Sequence, residues 1–448
     1  MTRLSFKFRP SQHGTAVGRE ILAGVTTFAA MAYILVVNPD MLSLTGMDRS
    51  ILITSTALAA AAGTLLMALL TNYPIALAPG MGLNAFFTFT ICGQLGVPWQ
   101  GALAMVFWTG LLFLVLSLTP FRREVVRAIP DPLKTGIQCG IGLFIIVIGF
   151  KGLGLVGNPA PGFFALRLSP PTTNHLVTGG LAGLGCILAA YLMRRQVAGA
   201  LLYAIAAITI LGFFIRVGGV PVTATPESVL SIPPSPGGVI SQIDWLYPFR
   251  NWETVWLAMI TLFFVDLFDS VGTLIGVSRR ADLVDEEGNL PRMNRALAAD
   301  AGATAVGAFF GTSTTTAFIE SATGVEAGGR TGLTGVVTAA CFLIALFIHP
   351  VISIIPPAAV TPALIIVGVL MMKSITEIGS APWQARAAAA AIAILIPLNF
   401  QIAEGIAAGC VFYTTLMLIS GQLKKVHWLM LLLNALFVAK FAYDIFGE

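Results

Sequence analysis

Five hydroxyl residues in a row, Thr312–Thr316, set the tightest constraint on what this chain can become. They lie in the stretch ADAGATAVGAFFGTSTTTAFIESATGVEAGGRTG, from Ala299 to Gly332, amid apolar segments long enough to cross a bilayer. A mostly β-branched run of this kind favours an extended strand over a helix. Hydrocarbon offers no water to an extended backbone, so a strand at that depth needs a second extended segment to pair with. The same stretch carries Asp300, Glu320 and Glu326. Ionisable groups within a membrane mark, by default, a substrate or ion path.

The first half of the chain offers a partner for that strand. From Thr71 to Cys92 it reads TNYPIALAPGMGLNAFFTFTIC, where Pro74, Pro79, Gly80 and Gly82 would break a continuous helix. A short extended piece at Ile75–Ala78, followed by a half-helix from near Gly82, accommodates these residues best. In the second half a half-helix is expected from Glu320 or Ser321, after a strand that includes Thr314 and Thr315 as structural support. Pairing of the two strands would turn both half-helix N-termini, with their free N–H groups, towards one site beside Asn84 and Glu320. Gly80–Ala85 also matches G-x-G-x-x-A, but that signature needs a βαβ unit in an aqueous domain, which the sequence lacks. No Gly-Lys pair occurs, so no Walker A lysine is present.

Composition sets the class. Of 448 residues, 56% are hydrophobic and 10% charged, whereas soluble domains carry about 25% charged residues. The chain is therefore read as an all-α polytopic membrane protein, multi-pass in the cell membrane and embedded in its lipid bilayer. Spans are expected at 18–37, 51–71, 75–92, 99–119, 134–151, 175–193 and 197–215, then at 253–278, 295–311, 312–327, 332–350, 361–373, 385–400 and 402–420. The apolar segment 427–446 carries Lys440 and Asp444, and would be either interfacial or a further span. The first apolar run, Ile21–Val37, is followed by Asn38-Pro39 rather than a cleavage site, which suits a retained span. Arg3, Lys7, Arg9 and Arg19 fall on the same side as Arg122, Arg123, Arg127, Lys134, Arg194, Arg195, Arg279, Arg280, Lys424 and Lys425, while Arg49, Lys151, Arg167, Arg216 and Arg250 fall opposite. This asymmetry places the N-terminus in the cytoplasm. The net charge of +4 is dispersed over short loops, which argues against a nucleic-acid partner. The five cysteines (Cys92, Cys139, Cys186, Cys341 and Cys410) have no metal or disulfide spacing, and the four histidines lie in tails or near segment ends. Neither a metal site nor a cofactor is expected.

The halves echo one another. Leu22-Ala23, Thr26 and Phe28 recur as Leu257-Ala258, Thr261 and Phe263; Ala62-Gly63 recurs as Ala301-Gly302; Ile145–Val147 with Lys151 recurs as Ile365–Val367 with Lys373. The order is kept at offsets of roughly 220 to 240 residues. Seven spans per copy forces the second copy to enter the membrane upside down, a recurrent design in secondary transporters. The expected organisation is a first repeat over 1–215, an extracytoplasmic Pro/Gly/Ser-rich loop over 216–251, a second repeat over 252–420 and a C-terminal apolar segment over 421–448.

Asp266 and Asp269 stand three apart on one helical face of the segment FFVDLFDSVGTLIGV. Two carboxylates buried together suit a group that takes up and releases a proton; alternatively, one ties helices together through Ser270 or Thr273. Asp300, beside the small-residue run Ala296–Gly302, would orient a neighbouring backbone or carboxylate or act as a ligand. Glu320 combines depth, a broken helix and a half-helix start. Glu326, next to Gly328, Gly329 and Arg330, reads as structural and near the cytoplasmic surface.

GMGLNA at Gly80–Ala85, FFVDLFDSVGTLIG at Phe263–Gly276, and LAADAG followed by GTSTTTAFIESATGVEAGGRTGL up to Leu333 resemble the AzgA-like purine permeases, a branch of the nucleobase–ascorbate transporter group of cation symporters. The resemblance runs over nearly the whole chain. It implies fourteen transmembrane segments in two inverted repeats of seven, with a core at 18–119 and 253–350 and a gate at 134–215 and 361–420. It further implies proton-coupled uptake of adenine, guanine and hypoxanthine by an elevator-type movement, with H⁺ as the coupling ion, often in a homodimer. By the resemblance, Glu320 hydrogen-bonds the base. Asp266 and Asp269 fall where the uracil and xanthine branches place a glutamate, and Gly82 and Asn84 match a pair used near substrate. Phe268 and Phe318 flank the carboxylates, where they would stack on the ring or simply pack. The same fold could instead carry uracil, xanthine or an inorganic anion such as sulfate. An oxyanion site would want few carboxylates, and a channel would need a continuous polar stripe. No nucleophile–base pair points to an enzyme.

Overall fold

The computed structural model describes residues 8–119, 124, 128–152, 156–160, 163–166, 173–226, 228–281, 283–285, 290–399 and 401–446. Of the basic residues that orient the chain, Arg3, Lys7, Arg122, Arg123, Arg127 and Arg167 lie outside them, as do the side chains of Lys440 and Asp444. The protein is mostly helical. Eight helical stretches among the described residues are long and apolar enough to cross a bilayer, and three shorter apolar helices accompany them. Each expected segment has a helical or broken counterpart.

The chain divides into two compact units. One comprises Met1–Leu118, Gly152–Gly154 and Ser169–Leu364; the other comprises Thr119–Lys151, Leu155–Leu168 and Ile365–Glu448. In the first, α1 (Val17–Met31) and α2 (Ile34–Ser43) make up the first segment and are separated by a break at Ala32–Tyr33. The helix does not end before Asn38-Pro39, as the sequence suggests, but carries Pro39 inside α2. Then come α3 (Arg49–Thr71), β1 (Leu77–Pro79), α4 (Met81–Ala85) and α5 (Trp99–Ser117). Asp48 caps α3 by accepting from the Ile51 amide at 3.0 Å. Helices α7 (Thr173–Arg194), α8 (Ala200–Phe214), α9 (Trp252–Arg280) and α10 (Met293–Phe310) follow, after α6 (Asp131–Gly152), which belongs almost wholly to the second unit. The first unit closes with β2 (Thr315–Ala317), α11 (Ser321–Glu326) and α12 (Gly332–Ala345).

Strands β1 and β2 pair antiparallel, with Leu77 opposite Ala317, Ala78 opposite Thr316 and Pro79 opposite Thr315. The pairing continues at both ends, where the Phe318 amide donates to the Ala76 carbonyl and the Gly80 amide to the Thr314 carbonyl, each at 3.0 Å. All six strand residues are buried, so the pairing supplies what the hydrocarbon cannot. Thr64 on α3 braces the strand pair by donating its hydroxyl to the Leu77 carbonyl (3.0 Å) and accepting from the Leu77 amide (2.9 Å). On the other side Thr304 on α10 donates to the Thr315 carbonyl at 3.1 Å. Helices α3 and α10 approach closely through small residues, since a Cβ added at Gly63 would stand 2.9 Å from the Ala303 Cβ; α10 is likewise close to β2, where a Cβ at Gly307 would stand only 2.3 Å from the Thr315 hydroxyl oxygen.

The second unit is built on α6, α14 (Trp383–Asn399), α15 (Ile402–Ile419) and α16 (Trp428–Phe446). Small residues again set the spacing. A Cβ at Gly136 would meet Ala389 at 2.7 Å, and one at Gly409 would fall 2.0 Å from Ile392. The C-terminal apolar segment forms α16, packed on α15 with Asn434 donating to Thr414. His427 pairs with Glu124 at 3.1 Å. Helix α13 (Pro357–Met372) runs across the boundary between the units.

Candidate functional site

The site lies within the first unit, where the strand pair meets α1, α2, α9 and α10. Strand β2 delivers Phe318 and then Glu320, the residue just before α11. Glu320 Oε1 accepts a hydrogen bond from the Tyr33 hydroxyl at 2.6 Å, and Tyr33 is only 1% exposed. Glu320 itself is partly exposed, and so is Asp269 on α9. The two carboxylates lie within electrostatic reach of each other. Both come from the second half of the chain, Asp269 from α9 and Glu320 from the turn into α11.

Asp266 and Asp300 are placed differently, since both are fully buried. Asp266 Oδ2 lies 3.0 Å from the Thr304 hydroxyl, whose single proton is shared with the Thr315 carbonyl, while Asp266 Oδ1 has no protein partner. Asp300 accepts from the Ala317 amide at 2.9 Å and from the Ser270 hydroxyl, and Ser270 in turn meets the Thr316 hydroxyl at 2.9 Å. Asp300 therefore fixes the end of β2 against α9. Asp266 is within electrostatic reach of both Asp300 and Asp269, so the four carboxylates form one linked cluster.

The hydroxyl run acts as a spine. Asn38 donates to Thr312 at 2.9 Å and to Thr56 at 2.6 Å, and Ser313 donates to the side-chain oxygen of Asn84. The amide nitrogen of Asn84 is buried without a protein partner, as are the hydroxyls of Thr314 and Thr315. Gly82 is partly exposed on α4. Phe268 stacks on Phe264 at 5.6 Å between centroids, and Phe264 and Phe263 extend that row to Phe113. Phe318 is 6% exposed at the end of the strand pair.

One expectation changes. The amides of Ser321, Ala322 and Thr323 are taken by the carbonyls of Phe318, Ile319 and Glu320 at 3.0–3.1 Å. The tight turn into α11 consumes the N–H groups that a freely starting helix would offer, so side chains carry recognition at this end. Sequence reasoning also missed Tyr33, Asn38, Thr304 and Glu20. A tyrosine within an otherwise apolar span shortly before Asn38-Pro39 was the available signal for Tyr33. Glu20, fully buried, accepts from the amides of Arg330, Thr331 and Thr334 and from the Thr334 hydroxyl (2.6 Å), which ties α1 to the start of α12. Its neighbour Arg19 in a basic tail disguised it as a surface residue. Glu326 pairs with Arg280 at 3.5 Å on the exterior.

Residues 18–408 match the Xan_ur_permease profile of the permease family. The chain belongs to this permease family. It is accordingly a multi-pass transporter and not an enzyme. It is 39% identical to the adenine permease AdeP of Escherichia coli K12, over 97% of this chain and 95% of that one. It is 38% identical to the guanine/hypoxanthine permease PbuG of Bacillus subtilis 168, over 98% and 99%. The permease also shares its fold with the transmembrane domain of the cyanobacterial bicarbonate transporter BicA, at a TM-score of 0.62 and 17% identity, over 85% of this chain and 97% of that one.

Proposed function

We propose that this permease imports purine nucleobases across the cell membrane together with protons, with Glu320 and Asp269 as the residues that meet the base. The observation that carries the reading is the pair of partly exposed carboxylates beside the strand pair. A neutral purine presents N–H donors on separate edges of a flat ring, which two separate carboxylates can accept. The buried amide nitrogen of Asn84, which has no protein partner, is the donor available for a carbonyl or ring nitrogen, and Gly82, two residues before it, is partly exposed. Phe318 borders the site; Phe268, stacked in an aromatic row, acts as packing behind it. Asp266 and Asp300, with Thr314 and Thr315, hold the frame. A carboxylate of the linked cluster carries the coupling proton, Asp269 being a partly exposed member that lies within electrostatic reach of Glu320.

The same proposal takes the N-terminus as cytoplasmic, and the core (18–119 and 253–350) as the part that moves against the gate (134–215 and 361–420), elevator-fashion, in a homodimer. Identity of 38–39% to AdeP and PbuG over 97–98% of this chain supports purines as cargo. A cluster of four carboxylates opposes an oxyanion. Competition tests the assignment: unlabelled adenine, guanine and hypoxanthine are expected to block labelled hypoxanthine uptake, while uracil and sulfate leave it unchanged. Inhibition by uracil or sulfate with none by purines would overturn it.

A further inference from the structure

We infer that Tyr33 is the positioning residue for Glu320, and that the affinity of the permease for its substrate depends on the Tyr33 hydroxyl. This rests on the purine reading of the same site. Tyr33 occupies the two-residue break between α1 and α2, 287 residues before Glu320 in sequence, yet its ring is buried and its hydroxyl reaches Glu320 Oε1 at 2.6 Å. That separation is in the range of an O–H donor on a charged acceptor.

Glu320 needs such a partner. It stands just before α11, makes no capping bond to that helix and is partly exposed, and from its own element the carboxylate receives a contact with the Glu320 backbone, which leaves a second anchor to come from elsewhere. A carboxylate held at one point must still be ordered each time a base binds, at the expense of affinity. Anchoring one oxygen through Tyr33 fixes the plane of the carboxylate in advance and leaves the other oxygen to meet an N–H of the base. The backbone at Ala32 and Tyr33 stays in the right-handed helical region, so α1 and α2 carry the Tyr33 ring to the site as parts of one near-continuous segment.

The test is Tyr33→Phe in the full-length permease, which keeps the ring and removes only the hydroxyl. Hypoxanthine and adenine uptake are measured over a concentration series, with transporter in the membrane quantified alongside. The KM is expected to rise about tenfold, the scale of a hydrogen bond to a charged group, while Vmax per transporter stays near the wild-type value. A purely structural role would lower the amount of protein or Vmax and leave KM unchanged, and that result overturns the inference. Should the variant transport nothing, thermal stabilisation of the purified protein by hypoxanthine decides: a wild-type concentration dependence overturns the inference, and a dependence shifted to higher concentration supports it. A wild-type permease that moved no purine would bring down the functional reading and this inference together. Wild-type uptake with an unchanged variant KM would bring down only the role of Tyr33.

Discussion

Glu320 and Asp269 share their chemistry with Asp266 and Asp300 and differ from them in surroundings. The first two are partly exposed, while the second two are sealed against Thr304, Ser270 and the Ala317 amide. Glu320→Gln keeps the size and the Tyr33 contact but removes the charge that accepts the N–H of the base. Purine uptake by this variant is expected to be lost while the protein remains in the membrane at wild-type level; uptake near normal would remove Glu320 from the site. These carboxylates were legible in the sequence because a charge in an apolar span is expensive and therefore conspicuous. Tyr33 and Thr304 were not, because a phenol or hydroxyl is common in such spans and only the fold tells which carboxylate it meets. Glu20 was hidden for the opposite reason, since a charge beside Arg19 looks solvated until α12 is seen to start on top of it.

At the scale of the element, the strand pair β1–β2 is what makes the site possible. Its two strands come from opposite halves of the chain, and each is secured by a threonine from the helix that precedes it: Thr64 on Leu77, Thr304 on Thr315. Thr64→Val preserves shape and leaves the buried amide and carbonyl of Leu77 without that partner. Each unsatisfied group costs about 1–3 kcal/mol, so the thermal unfolding midpoint of the purified protein is expected to fall clearly. A midpoint equal to the wild type's would mean that the brace is dispensable. Proline, glycine and β-branched residues announced both strands; the first is observed at Leu77–Pro79 against an expected Ile75–Ala78, and the second is confined to Thr315–Ala317, starting three residues later than the hydroxyl run suggests. What local chemistry could not announce was the turn into α11, whose amides are consumed by Phe318, Ile319 and Glu320. Whether a helix begins freely or through a tight turn depends on the register of the strand before it, and that is fixed by pairing with a segment some 240 residues away.

For the whole molecule, the apolar segments and their faint repetition were enough to anticipate a polytopic transporter with two broken elements meeting in the membrane. The break within the first segment escaped notice because Pro39 suggested a helix end, whereas the helical pattern is interrupted earlier, at Ala32–Tyr33, and α2 carries the proline inside it. Coupling belongs to this scale. If protons accompany the base inward, lowering the external pH by one unit at constant internal pH adds about 1.4 kcal/mol per proton to the driving force, and initial uptake should rise. The most direct measurement is the uptake of radiolabelled hypoxanthine and adenine by purine-transport-deficient cells expressing this permease, at two external pH values, with and without a protonophore. Saturable uptake that is faster at the lower pH and whose accumulation collapses with the protonophore is the expected result. Purine accumulation that ignored the protonophore and followed a sodium gradient alone would contradict the proton coupling, and no purine uptake from well-expressed protein would contradict the assignment of cargo.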